Sequence, residues 1–365
     1  MKKTLPNFDL LTLLITVCIT IIGLIFVLSS SYIWAEHKFG DALFFFKRQL
    51  LFASMGIVGM LIVSRIDYRI YKRYSTQFFI ISLALLALVL VPGLGVVRGG
   101  ARSWFGIGGF TIQPSEFMKL GMIIFLARYM SNYPAEARTF KKGVVPDMGV
   151  ILAIFGLIML QPDFGSGMVL VMTGIIMMFV SGVPISYFMY FVMAGVAGIT
   201  GLIISAPYRL ERITAYLRPF DDPQGSGFQI IQSLYAIAPG GLLGHGIGNS
   251  IQKFFYLPEP QTDFIFAIVA EEIGFIGSSF VLILYVLFFM RCAHIILKTK
   301  DLFGKYIVVG IMSMLMVQVM INIGVVSGIL PVTGITLPFM SYGGSSLTIT
   351  LISIGLILNI SRYNE

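Results

Sequence analysis

The sequence predicts an all-α integral membrane protein of about ten transmembrane helices, with one large loop on the outer side between the seventh and eighth. Three observations carry this expectation. Of 365 residues, 57% are hydrophobic and 12% charged, whereas a soluble domain carries about a quarter charged residues. Long, almost charge-free stretches such as 10–35, 74–97, 164–210 and 306–361 reach or exceed the roughly 20 apolar residues that cross a bilayer as a helix. Lysine and arginine then fall on loops of alternate parity, as the positive-inside rule requires.

Taken in order, the apolar segments 10–30, 47–64, 75–91, 113–130, 147–161, 166–181, 186–204, 264–290, 304–328 and 344–361 are the expected spans. Lys2-Lys3 ahead of the first run resembles a signal peptide, but the run is longer than a typical apolar core and lacks a small-x-small exit. It is an uncleaved first span. The two longest stretches must be double spans. Gly182-Val183-Pro184 breaks one, and the Pro-, Gly-, Ser- and Thr-rich run 328–344 breaks the other. Only Gln161-Pro162-Asp163-Phe164-Gly165 separates the fifth span from the sixth.

Lys2, Lys3, Arg65, Arg69, Lys72, Arg73, Arg138, Lys141, Lys142, Arg291, Lys298, Lys300, Lys305 and Arg362 all fall on one side. That side is the cytoplasm, and both termini lie there. The chain is expected to form one polytopic domain, 1–365. Within it the outer segment 205–262 mixes charged residues with apolar stretches such as 228–238, so it is expected to fold, with short helices at the membrane interface.

The net charge of +8 follows from this topology. No basic cluster is interleaved with aromatics, which argues against a nucleic-acid partner. Cys18 and Cys292, the two cysteines, do not make a disulfide framework. No His, Asp and Glu cluster has metal-ligand spacing, although a divalent ion bound with a substrate diphosphate is compatible with the sequence. No internal repeat suggests an inverted-repeat transporter.

Several residues could carry chemistry. Asp263 sits in Leu257-Pro258-Glu259-Pro260-Gln261-Thr262-Asp263-Phe264, where the outer loop re-enters the membrane. Partial desolvation there would raise its pKa and suit it to accept a proton. The bland alternative is a helix N-cap. Glu116 and Lys119 project from one helix face inside a span and can pair, either as a functional pair or as a structural tie. Lys47, Arg48, Arg98, Arg102, Arg209, Arg212 and Lys253 are cations that could meet an anionic ligand such as a diphosphate, or simply lipid headgroups and water. The glycine-rich run 240–248 lacks the preceding strand of a dinucleotide loop, and its glycines suit sharp turns. His245, Glu271 and Glu272 are compatible with hydrogen-bonding or structural roles.

Residues 322–346, Asn-Ile-Gly-Val-Val-Ser-Gly-Ile-Leu-Pro-Val-Thr-Gly-Ile-Thr-Leu-Pro-Phe-Met-Ser-Tyr-Gly-Gly-Ser-Ser, closely resemble the signature of the SEDS family of shape, elongation, division and sporulation proteins. Gln113-Pro114-Ser115-Glu116, Asp222-Pro223, Gly227-Phe228-Gln229 with Gln232-Ser233, and the 257–266 stretch support the resemblance, which is nearest the SpoVE and FtsW branch. The resemblance implies a bacterial plasma-membrane glycosyltransferase. It would join lipid II units through β-1,4 bonds onto a nascent lipid-linked glycan and release undecaprenyl diphosphate, for division or spore-cortex synthesis. It implies that Asp263 is the catalytic residue on the outer face, that Glu116 and Lys119 act near the substrate cavity, and that a class B penicillin-binding transpeptidase with one transmembrane helix is the partner. Arg48, Arg102, Arg212 and Lys253 are the candidate substrate-binding cations. One departure stands out: some division members carry an acidic residue eight positions before the catalytic Asp, and here that position is Phe255. A lipid II flippase and a noncatalytic scaffold are the alternative functions.

Overall fold

The structure is a computed structural model, and it describes residues 8–98, 101–107, 110–204, 216, 218–223, 225 and 227–363. Helices form over each apolar segment: α1 (Leu10–Phe39), α2 (Phe44–Val63), α3 (Arg69–Leu88), α4 (Pro114–Asn132), the short α5 (Pro134–Ala137), α6 (Val145–Met159) behind a π-helical turn at Phe140–Val144, α7 (Phe164–Val180) and α8 (Ile185–Ile204). α9 (Phe228–Ile237), α10 (Ile265–Lys298), α11 (Leu302–Val326) and α12 (Gly344–Ser361) follow. Among the described residues, six helical stretches are long and apolar enough to cross a membrane. The chain is a multi-pass membrane protein.

Local chemistry sets the helix ends. Asp9, Asp163 and Asp301 accept bonds from the backbone N–H groups of Thr12, Ser166 and Gly304 at 2.7, 3.1 and 2.9 Å, satisfying donors that a first helical turn leaves free. α1 runs nine residues beyond the segment expected from hydropathy, and stops at Gly40 in the left-handed region (φ 65°). Inside the spans, hydroxyls turn back onto carbonyls one turn earlier, as in Thr16 to Thr12, Ser30 to Phe26, Thr173 to Val169 and Ser313 to Val309. Polar side chains are thereby paired within their own helix, as hydrocarbon surroundings demand.

Helix association rests on close packing, because lipid is as apolar as the helices themselves. α12 lies along α2, α11 packs on α4, α7 and α10, and α1 bridges α2 and α10. A Cβ added at Gly56 of α2 would meet Leu351 of α12 at 2.6 Å, and one at Gly355 would meet the Met60 carbonyl at 2.6 Å. Only glycine allows that approach.

One feature departs from the sequence expectation. Between α3 and α4 lies a three-stranded antiparallel meander, β1 (Gly95–Arg98), β2 (Ala101–Ile107) and β3 (Phe110–Ile112), with Gly95 opposite Phe105 and Phe105 opposite Ile112. The outer segment, where described, packs on the bundle. α9 buries Ile230, Ile231 and Ala236, and its Ser233 hydroxyl donates to the Val326 carbonyl at 2.7 Å.

Candidate active site

Asp263 stands at the mouth of α10, two residues ahead of the first helical position. Its side chain is partly buried, and burial pushes the carboxyl up to about 6, opposed by the hydrogen bond from Thr262. The Thr262 hydroxyl donates to Oδ1 at 2.9 Å. The same hydroxyl lies 2.7 Å from the Glu259 carbonyl, so its one proton is shared between the two acceptors. The helix-cap reading does not survive, because the cap residue is Phe264 and no side chain caps this helix. A carboxylate brought into a partly dry setting and left free of a capping bond keeps its lone pairs for a ligand.

The backbone at Asp263 is fixed from a different part of the chain. Asn322, buried near the end of α11, donates through Nδ2 to the Asp263 carbonyl at 2.7 Å and to the Ile335 carbonyl at 2.8 Å. One amide therefore ties the catalytic candidate to the irregular run between α11 and α12. Tyr342 N–H donates to the Gln261 carbonyl at 2.8 Å, and Gln49 of α2 donates to the Ser341 carbonyl at 2.8 Å. Tyr285 of α10 bonds the Pro338 carbonyl. Non-helical backbone at membrane depth needs such partners. α1 closes over the run at Gly23, where an added Cβ would lie 2.6 Å from the Phe339 carbonyl. Sequence reading had not singled out Asn322, Gln49 or Tyr285; a buried Asn inside an otherwise apolar helix was the available signal.

Glu116 and Lys119 pair at 2.9 Å in the opening turns of α4, with side chains 7% and 3% exposed. Their helix start belongs to the same end of the bundle. Gln113, just ahead of α4, donates through Nε2 to the Asp163 carboxylate at 3.0 Å, and its backbone N–H donates to the Ser345 hydroxyl at 3.2 Å. Gly165, beside Asp163, lies against Thr333 and Ile335, and Ile335 shares Asn322 with Asp263. A continuous set of contacts thus links α4, the α6–α7 turn, the signature run and Asp263.

The candidate cations divide. Arg48 is partly exposed, with its guanidinium over Phe44 and Phe110 at 4.4 and 5.2 Å from the ring centres. Arg102, on β2, is partly exposed, with a long contact from Nη1 to the Leu90 carbonyl at 3.5 Å. Arg212 lies outside the described residues, as does Arg209. Lys253 is a correction: its side chain is fully buried and paired with Glu272 at 3.1 Å. It also bonds the Gly248 carbonyl and lies over the Tyr32 ring at 5.0 Å, so a diphosphate cannot reach it.

That pair belongs to a second polar cluster. Ser29 of α1 donates to both Glu272 oxygens at 2.6 and 2.7 Å, Ser250 donates to Glu271 at 2.5 Å, and Ile251 N–H donates to Glu271 at 2.7 Å. The glycine-rich run lies against a break in α10 at Gly274 (φ 63°, ψ −165°). Phe275 and Ile276 N–H donate to the carbonyls of Gly241 and Leu242, and the N–H groups of His245 and Gly246 donate to the carbonyls of Glu271 and Glu272, at 2.8 to 3.1 Å. The glycines are there to repair a broken helix. Phe255 lies against Trp34 and His37 at the end of α1, 5.9 and 5.2 Å between ring centres. Among the described residues, no group of three or more His, Cys, Asp and Glu side chains is placed to hold a metal ion.

The model of the FtsW, RodA and SpoVE family, described as "Cell cycle protein", matches residues 9–365. The chain belongs to this family. It is 54% identical over 364 residues to stage V sporulation protein E of Bacillus subtilis (strain 168), covering 100% of this chain and 99% of that one. It is 40% identical over 357 residues to a probable peptidoglycan glycosyltransferase FtsW of Trichlorobacter lovleyi, covering 98% and 94%. Among solved structures it resembles a chain of a peptidoglycan synthase complex that coordinates polymerization and crosslinking (TM-score 0.82, 32% identity, 98% of each chain). It also resembles the rod shape determining protein RodA of Thermus thermophilus (TM-score 0.69, 28% identity, 97% of each chain). The family match therefore spans Asp263, the Glu116–Lys119 pair and the signature run together.

Proposed function

We infer from this membership and from the site that the chain is a peptidoglycan glycosyltransferase serving division or sporulation. In this reading it polymerises lipid II on the outer face of a bacterial plasma membrane, with both termini in the cytoplasm. The observation that carries the mechanism is Asp263: a partly buried carboxylate, held by Thr262 and by the Asn322 tie on its backbone, and not spent on helix capping. The acceptor sugar's 4-hydroxyl oxygen attacks the anomeric carbon of the lipid-linked donor. Its proton passes to Asp263 as the bond from carbon to the diphosphate oxygen breaks and undecaprenyl diphosphate leaves. One displacement inverts an α-linked donor to a β-1,4 product, so no covalent sugar intermediate is needed.

Charge develops on the departing diphosphate, and fixed cations at the site would stabilise it. Glu116–Lys119, Arg48, Arg102 and Arg212, the last of which lies outside the described residues, are the residues we assign to substrate binding; Lys253 is withdrawn on the strength of its burial. A divalent ion enters only as a counterion of the substrate diphosphate. The partner we propose is a class B penicillin-binding transpeptidase whose single transmembrane helix packs on the bundle, which a crosslinking survey of the lipid-facing helices would detect.

The deciding experiment compares wild type with Asp263→Asn on lipid II in detergent, where polymer formation cannot be flipping. Asn keeps the shape and cannot take the proton, so polymer should fall by roughly 10²- to 10⁴-fold at matched thermal stability. Near-normal polymer from the variant would sink the assignment.

A further inference from the structure

At the opposite end of the bundle from Asp263, the start of α1 and the last turns of α10 line a groove of about 310 Å³. Its walls are apolar: Leu11 and Ile15 from α1, Leu287 and Met290 from α10. Leu11, Leu287 and Met290 are 49%, 42% and 62% exposed. The far end of the groove has a different chemistry. Arg291 and His294 line it, and the exposed Lys298 follows one turn on. Positions 291, 294 and 298 share one helix face. The only described carboxylate bonded to this face is Asp9, and it is already engaged. One of its oxygens caps Thr12 at 2.7 Å, and the other takes Nη2 of Arg291. Arg291 keeps a side chain 29% exposed after that pairing.

From this combination we propose a site for one anionic phospholipid of the leaflet at the chain's termini, with an acyl chain in the α1–α10 groove and the headgroup phosphate on Arg291 and His294. The match is one of both shape and charge. A hydrocarbon slot ending in the cations Arg291 and Lys298, with the His294 imidazole beside them as a hydrogen-bonding group, fits a lipid whose phosphate sits where the tail meets water. A zwitterionic lipid would fill the slot equally well, but its own ammonium offsets the attraction to those cations. A partner's transmembrane helix would use the apolar walls and leave Arg291, His294 and Lys298 without a role.

The test uses the full chain in detergent, delipidated and then offered equal amounts of phosphatidylglycerol and phosphatidylcholine with identical acyl chains, with retained lipid read by native mass spectrometry. Each cation near such a surface contributes about fivefold in affinity, so wild type should retain phosphatidylglycerol at least about fivefold over phosphatidylcholine. Two variants on exposed positions probe the two halves of the site. Met290→Trp fills the slot and should lower retention of both lipids; His294→Glu repels the phosphate and should bring the two lipids to parity. Polymerisation and melting temperature in lipid-free detergent should be unchanged in both. Equal retention by wild type overturns the proposal, as does an undiminished preference in His294→Glu. A photocrosslinker at Leu287 that captures a protein helix in membranes instead of lipid overturns it too.

Discussion

Among the described residues two lysine–glutamate pairs are buried, and they are built in opposite ways. Lys253–Glu272 joins residues 19 apart and is saturated: Ser29, Ser250 and the lysine all converge on Glu272, and the ammonium also bonds the Gly248 carbonyl. Glu116–Lys119 is a local pair one helical turn apart, and among the described residues no other side chain bonds to either partner. The first has no capacity left for a ligand. The second retains one carboxylate oxygen and further ammonium donors, next to the run that positions Asp263. Burial alone does not mark a functional charge; the unspent hydrogen-bonding capacity does.

The largest effect expected from this contrast is on stability. Lys253→Met strands the Glu272 carboxylate in a dry site and should cost about 3–5 kcal/mol, while adding Glu272→Leu should restore most of it, since buried pairs are often replaceable by well-packed apolar groups. Thermal unfolding in detergent reads both. A single variant that melts with wild type would break the comparison at its first limb.

The Glu116–Lys119 pair should respond the other way round. Glu116→Leu/Lys119→Met removes both charges together and should fold with a melting temperature near wild type, yet lose polymerisation by roughly 10²- to 10³-fold if the pair stabilises developing charge. Lys253→Met/Glu272→Leu, by contrast, should keep most of its polymerase activity. If the two double variants lose activity equally, saturation does not separate structure from function here.

These assignments show where sequence reading reached and where it stopped. The helices were legible because hydrocarbon leaves the chain little choice at each long apolar run. The small sheet was missed, although the dipeptides Gly99-Gly100 and Gly108-Gly109 in the sequence are of the type that signals a hairpin. β1 and β3 have only four and three residues, and the seven of β2, Ala-Arg-Ser-Trp-Phe-Gly-Ile, do not alternate in polarity. Asp263 was singled out from its place at membrane re-entry and from the family resemblance, and its partly buried position at the mouth of α10 agrees with that place. Lys253 was not, because its burial depends on a glycine-rich run folding back over the break at Gly274, a contact between residues distant in sequence. Asn322 was quoted only as part of a signature; its work on the Asp263 and Ile335 carbonyls is visible only once three segments meet.

The break itself gives a smaller test of the saturated region. At Gly274 φ is 63°, and an added Cβ would meet Gly244 N and lie 2.7 Å from the Leu242 carbonyl. Gly274→Ala should therefore cost about 1–3 kcal/mol, read as a lower melting temperature. Closing the helix by this change, with stability raised, would mean that the glycine-rich run does not hold the break open.

The smallest effect concerns pH, and it sharpens the comparison because only one of the two regions should govern it. Burial raises the Asp263 carboxyl to about 6, and a general base works only when deprotonated. Polymerisation should therefore rise with pH, by about tenfold per unit below that midpoint, and level off above it. The sign is fixed by the role: were Asp263 required as an acid, the rate would fall over the same range. Lys253→Met/Glu272→Leu acts through the fold and should scale the whole profile without moving its midpoint. Glu116→Leu/Lys119→Met lies along the contact chain to Asp263, so any shift of the midpoint belongs to this variant. Rates of lipid II consumption between pH 5 and 8, an interval chosen as roughly one to two units either side of the midpoint, would decide it. A midpoint displaced by the saturated pair's double variant would mean that the Glu271–Glu272 cluster acts on the Asp263 charge directly, and the division between the two regions would have to be redrawn.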